Sequence, residues 1–206
     1  MTFKTTLAAG TAVLALAAAG GVFAQSAVNT DPAAVTAGDY KLETSHARVL
    51  FATSHMGFST WYGDFTGATG TLSLDPKNVA AAKLEVSIPT ASVSTTNTVL
   101  DGELKSAQWF DAEKHPTITF KSTKVTQTGA GTAKVDGDLT FHGVTKPVSL
   151  DAKFYGSGVN PMSKAYTVGF EVSGKLKRSD FGVNTYVPLI GDDVTLTISA
   201  PFEKAN

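Results

Sequence analysis

AKVDGDLTFHGVTKPVSLDAKF (Ala133–Phe154) is the stretch that decides the fold. Before the His142-Gly143 pair, Ala133, Val135, Gly137, Leu139 and Phe141 alternate with Lys134, Asp136, Asp138, Thr140 and His142. After it, Val148, Leu150, Ala152 and Phe154 alternate with Ser149, Asp151, Lys153 and Tyr155. A period of two sends successive side chains to opposite faces of an extended chain, so each run is a strand with one apolar and one polar face. A glycine-containing turn between them makes a hairpin.

The same reading extends outward. Ala82–Ile88, Tyr166–Leu176 and Val194–Phe202 alternate in the same way, and Arg48–Met56, Gly67–Leu74 and Thr117–Thr126 are further strands. Turns are expected at Asp75-Pro76-Lys77-Asn78, Thr128-Gly129-Ala130-Gly131, His142-Gly143 and Gly156-Ser157-Gly158. About eight amphipathic strands hide their apolar faces either by closing into a barrel or by packing as two sheets. An eight-stranded barrel either fills with side chains or holds one small ligand. One helix is expected at Asn97–Ala107, capped by Asn97, with Val99, Leu100, Leu104 and Ala107 on one side. It is too short to cover a sheet but long enough to plug or flank a barrel mouth.

Composition closes several routes. The 206 residues are 42% hydrophobic and 17% charged, with a net charge of −1 and no cysteine. The near-neutral balance argues against a nucleic-acid partner. The absence of cysteine removes disulfides, thiolate metal sites and a cysteine nucleophile. At the N-terminus, Lys4 precedes an apolar run from Leu7 to Ala19, and Val22-Phe23-Ala24 offers small residues at the positions a signal peptidase reads. Residues 1–24 are therefore expected to be a cleaved export signal, 25–37 a flexible leader, and 38–206 one domain. No later segment is long and apolar enough for a membrane-spanning helix.

None of the four histidines (His46, His55, His115, His142) is paired at i+2 or i+4, so no metal site is expected. No Gly-x-Ser-x-Gly elbow, phosphate loop or dinucleotide fingerprint occurs, and the adjacent Asp192-Asp193 reads as a solvated turn. Enzymatic activity is not expected.

Four stretches resemble the YceI-like periplasmic lipid/polyisoprenoid-binding family. They are SHARVLFATSHMGFSTWYGDF (Ser45–Phe65), LDGELKSAQWFDAEKHPTITFKS (Leu100–Ser122), GDLTFHGVTKPVSL (Gly137–Leu150) and KRSDFGVNTYVPLIGDDVTLTI (Lys177–Ile198). Their order spans nearly the whole chain after the signal. Two positions depart from the pattern: His115 replaces a tyrosine before the proline, and His142 an arginine before Gly-Val-Thr-Lys. The resemblance implies an all-β fold, a single lipocalin-like antiparallel barrel of eight strands. Its interior would hold a long isoprenoid or fatty-chain lipid, an isoprenoid quinone among the candidates, with no cofactor and no catalysis.

On that reading the inward residues expected to meet the ligand are Phe51, Leu84, Val86, Ile88, Phe120, Leu139 and Phe141, with Leu150, Phe154, Phe170, Leu196 and Ile198. His55 shares the face of Val49 and Phe51 and would add a polar contact. Arg178 is placed either near a mouth or at a solvated strand end. Each buried methylene contributes about 0.8 kcal/mol, against association costs of about 4–15 kcal/mol. The partner is thus expected to be a long-chain amphipathic lipid, in a periplasmic location, and a homodimer stays open as an assembly. The alternative is a stress-related or surface interaction protein with a solid barrel and no lipid.

Overall fold

The computed structural model of the chain describes residues 28–205. The expected export signal at 1–24 lies outside the described residues.

Among the described residues ten strands are present: β1 (Gly38–Leu42), β2 (Arg48–His55), β3 (Ser59–Phe65), β4 (Thr69–Leu74), β5 (Lys83–Pro89), β6 (Thr117–Gly129), β7 (Thr132–Phe141), β8 (Val144–Val159), β9 (Tyr166–Lys177) and β10 (Ile190–Lys204). They nevertheless form a barrel of eight positions. β1 and β2 both run antiparallel along the same edge of β10, β1 against Phe202–Lys204 and β2 against Ile190–Ser199. They are one strand broken at residues 43–47. β3 and β4 are likewise one return strand, pairing with β2 and β1 respectively. The ring β1-β4-β5-β6-β7-β8-β9-β10 then closes on itself through β1 and β10. Closure removes the free sheet edges that an open eight-stranded sheet would expose. Gly38–Leu42 and Ser59–Phe65 were not among the expected strands: the first is only five residues long, and the second sits in a glycine- and aromatic-rich run without clear alternation.

The β7–β8 hairpin turns on His142 (φ 51°) and Gly143 (φ 75°). Two successive positive φ values match the right-handed twist of the flanking strands. Gly156-Ser157-Gly158, by contrast, is not a turn. β8 runs through it after a bulge between Phe154 and Gly156, and the chain reverses at residues 160–165. Here glycine serves close approach: a Cβ on Gly156 would lie 2.4 Å from Cγ1 of Val28.

That contact also corrects the expected flexible leader. Over residues 28–37 the segment is laid against the barrel. Asn29 and Ser157 exchange two backbone hydrogen bonds of 2.8 Å, Pro32–Ala34 form a 3-10 turn capped by Asp31, and Val35 is buried. Tyr40 donates its hydroxyl to the Thr36 carbonyl. Val35, Tyr40, Leu72, Val168 and Phe202 make a plug that closes this end. Burial of Val35 contributes about 1.5–3 kcal/mol towards holding this segment on the barrel.

The other end is built differently. β3 pairs only with β2, so the wall beside it is completed by the connection between β5 and β6. Asp64 and Ser94 exchange backbone hydrogen bonds to attach this connection to β3. It carries α1 (Thr98–Lys105), whose Asn97 side chain accepts from the Val99 and Leu100 amides. Leu104 is buried and Leu100 packs beside it, whereas Val99 and Ala107 are exposed, so the apolar stripe is narrower than the sequence suggested. Phe51, Phe65, Phe110, Phe141 and Phe181 follow one another at centroid spacings of 5.2–5.9 Å and seal this side.

Candidate functional site: an apolar cavity with one polar mouth

Inward-facing positions meet across the barrel in layers. One layer runs Phe51, Leu196, Gly174, Leu150, Val135 and Val125 through β2, β10, β9, β8, β7 and β6. What these side chains do not do is fill the centre. The rings lie along the wall over glycines of the neighbouring strand. A Cβ on Gly63 would come 2.3 Å from Cζ of Phe51, and one on Gly137 would come 2.4 Å from Cζ of Phe120. Folding the largest side chains flat leaves an interior cavity of about 790 Å³, within the usual ~300–1,000 Å³ range of ligand sites. The barrel is hollow, and a solid-barrel description does not fit it.

Twelve of the thirteen residues expected to meet a ligand line this cavity. Phe51, Leu196 and Ile198 come from β2 and β10, and Leu84, Val86 and Ile88 from β5. Phe120 comes from β6, Leu139 and Phe141 from β7, Leu150 from β8, and Phe170 from β9. His55 stands at the end of β2. Phe154 is the exception. The bulge that follows it leaves it against Phe170 at 6.0 Å, packed onto the closed-end plug rather than facing the cavity.

Polar groups cluster where the cavity opens. His55 packs on Trp61 with ring centroids 5.3 Å apart, and the Trp61 Nε1 is buried with no protein acceptor among the described residues. A buried donor without a partner is costly, so an acceptor brought by a ligand would be favoured there. Trp109 donates Nε1 to Glu103 Oε1 at 3.0 Å. Arg178 is buried, not a solvated strand-end charge. Its guanidinium donates to the carbonyls of Gly191, Val183, Thr185 and Ile190 at 2.8–2.9 Å and lies over the Trp109 ring at 5.4 Å. It organises the loop at residues 182–190, which forms one lip of the mouth.

Met56, Val99, Tyr186 and Leu189 line the cavity and yet are more than half exposed, and Phe58 beside Met56 is 91% exposed. The mouth therefore has an apolar rim. Trp61, Trp109, Tyr186 and Leu189 were not among the expected site residues, whereas Arg178 takes the first of its two expected places, near the mouth. The aromatic runs Trp61-Tyr62 and Trp109-Phe110 were the visible signal, but they fall outside the alternating strands. The structure also gathers Asp111, His115 and His142, whose ligating atoms lie within 4.8 Å of one another, although their sequence spacing gave no sign of it.

A closed antiparallel barrel with an apolar interior cavity is the architecture of a small-molecule binding protein. Residues 40–202 match the YceI-like domain, and the chain belongs to that family. It is 42% identical over 171 residues to a UPF0312 protein of Serratia proteamaculans, covering 82% of this chain and 88% of that one. It is 43% identical over 165 residues to Protein YceI of Escherichia coli O6:H1, covering 79% and 85%. Among solved structures, the Campylobacter jejuni YceI protein superposes with a TM-score of 0.66 at 32% identity, over 74% of this chain and 90% of that one. A polyisoprenoid-binding domain from Saccharophagus degradans shares the fold, with a TM-score of 0.59 at 14% identity over 82% of this chain and all of that one.

Proposed function

We propose that the protein is an exported periplasmic carrier that holds one long-chain amphipathic lipid of the polyisoprenoid kind, without catalysing a reaction. The observation that carries this reading is the cavity: about 790 Å³, lined mostly by apolar side chains, closed by the plug at one end and opening beside His55, Trp61 and Arg178 at the other. A chain threaded inward with its polar head at His55 and Trp61 satisfies both halves. Ten buried methylenes contribute about 8 kcal/mol gross, in the range of the association cost of about 4–15 kcal/mol, so the fit favours long chains. The polyisoprenoid-binding neighbour supports the same ligand class. A passive role is supported by the polar groups at the mouth. Thr53, Arg178 and Asn97 are all engaged in structural hydrogen bonds, to Gly191 and Asp193, to four carbonyls, and to the α1 amides. The apolar rim suits transfer directly from a bilayer surface, where such side chains lose water on contact.

The test is native mass spectrometry of protein recovered from the periplasm of its own host. A chain beginning at Gln25 with one lipid mass attached is the expected result. Phe170→Trp narrows the floor of the cavity and should lower lipid occupancy severalfold while the melting temperature changes little. Unliganded protein that also takes up no added polyisoprenol would overturn the carrier reading.

A further inference from the structure

Outside the cavity lining, between the connection that carries α1 and the β7–β8 turn, the fold assembles a group of ligating side chains that carrying a lipid does not require. From the positions of Asp111, His115 and His142 we infer a binding site for one divalent transition-metal ion, of which zinc is the representative. One ligating atom from each residue lies within 4.8 Å of the others. The imidazoles stand edge to face with centroids 5.2 Å apart. Two imidazoles and one carboxylate are a donor set that zinc takes at about 2.0–2.2 Å, leaving a fourth position for water or an external ligand.

The surroundings favour this use. Nδ1 of His142 lies 3.0 Å from the Phe181 carbonyl. Donating there fixes the tautomer in which Nε2 keeps its lone pair, and this is the outer hydrogen bond that orients metal-binding histidines. His115 is held from behind: buried Thr90 donates its hydroxyl to the His115 carbonyl at 2.6 Å, and the His115 amide donates to the Asp111 carbonyl at 2.8 Å. Its ring occupies space that only glycine at 143 leaves free, since a Cβ there would lie 2.5 Å from Cε1. The Asp111 carboxylate has no ion pair or hydrogen bond among the described residues, and all three side chains are half-buried, so an ion could enter from solvent.

The ligands belong to two separate parts of the molecule. Asp111 and His115 follow α1 in the connection that completes the open end, and His142 is in the β7–β8 turn. A bound ion would pin that connection to the barrel wall and so stiffen the mouth. The site is independent of what the cavity holds.

Calorimetric titration of tag-free, chelator-stripped protein with zinc chloride tests it. Saturable 1:1 binding is expected, with a zinc-dependent rise in melting temperature. Cobalt(II) in its place should give the visible absorption of a four-coordinate ion. His142→Asn and Asp111→Asn tolerate the positive φ at those positions (51° and 45°), and each should weaken binding by more than about tenfold. His115→Gln should do the same, while His46→Gln, at an exposed histidine 82% accessible, should leave it unchanged. Each variant is compared at equal folded fraction by its metal-free melting curve. No saturable binding, or binding that survives His115→Gln and Asp111→Asn, would overturn the inference.

Discussion

Arg178 shows how much one side chain can decide. Sequence left it two places, near a mouth or as a solvated charge at the end of an alternating run. In the fold it is buried beneath the mouth and satisfies four carbonyls of residues 183–191. Lysine has three donors on a point charge and cannot reproduce the planar fork. Arg178→Lys would strand at least one buried carbonyl and lose the contact with Trp109. The expected cost is about 2–4 kcal/mol, read as a fall of roughly 4–16 °C in melting temperature for a domain of this size. A change under about 1 °C would show that the loop does not depend on this residue. His55 is the contrasting case. Its inward placement followed from parity with Phe51, because a strand without a bulge has a strict period of two.

Among the elements, β5 to β10 were legible because each buries one face and solvates the other. β1, β3 and the folded leader were not. Their side chains are chosen by what lies across from them, as with Gly63 under the Phe51 ring and Gly156 against Val28. The helix was legible through its cap, and the cap has a consequence for the mouth. Val99, Leu100, Glu103 and Leu104 of α1 line the cavity, so fraying the helix opens it. Asn97→Ala removes the acceptor for two amides and should cost about 1 kcal/mol of helix stability, equivalent to about fivefold in a local opening equilibrium. Hydrogen exchange at residues 98–105 should speed by that factor, with β6 to β9 unaffected. Uniform acceleration throughout the barrel would instead mean that the helix opens only with global unfolding.

At the scale of the whole molecule, pH should act on stability from both sides of neutrality. Burial pushes the Asp192 carboxyl up. The amide and hydroxyl of Ser179, with Lys177 and Arg178, overcome this and hold it below the ordinary carboxylate range. Burial likewise opposes, and the hydrogen bonds from His46 and Ser45 outweigh it, at Glu43, which is also held low. A carboxyl with a lower pKa folded than unfolded adds stability above the unfolded value, about 4, and loses it as pH falls through the folded one. For Tyr40, at the closed end, the sign is reversed. Burial, then the neighbouring Tyr166, push the Tyr40 hydroxyl up to about 12 from 10.0. Its contribution is complete below pH 10 and is lost as pH rises towards 12. Melting temperature should therefore be level between about pH 5 and 9 and fall on both sides. Asp192→Asn should flatten the acid limb and Tyr40→Phe the alkaline one. Stability that rises on acidification below pH 4 would contradict these assignments.

By itself the sequence determined eight of the ten strands, most of their inward faces, the capped helix and the family, because periodicity, turn chemistry and motif order are local properties of the chain. It could not determine whether the barrel was hollow. That depends on whether large rings cross the lumen or lie over glycines of an adjacent strand, which is a relation between residues far apart in the chain. Closure of eight positions from ten strands, the seating of Phe154 in the plug and the burial of Arg178 were decided the same way. So was the meeting of Asp111, His115 and His142: spacing along one strand or helix reports only neighbours on that element, whereas these ligands face each other across a connection and a hairpin turn.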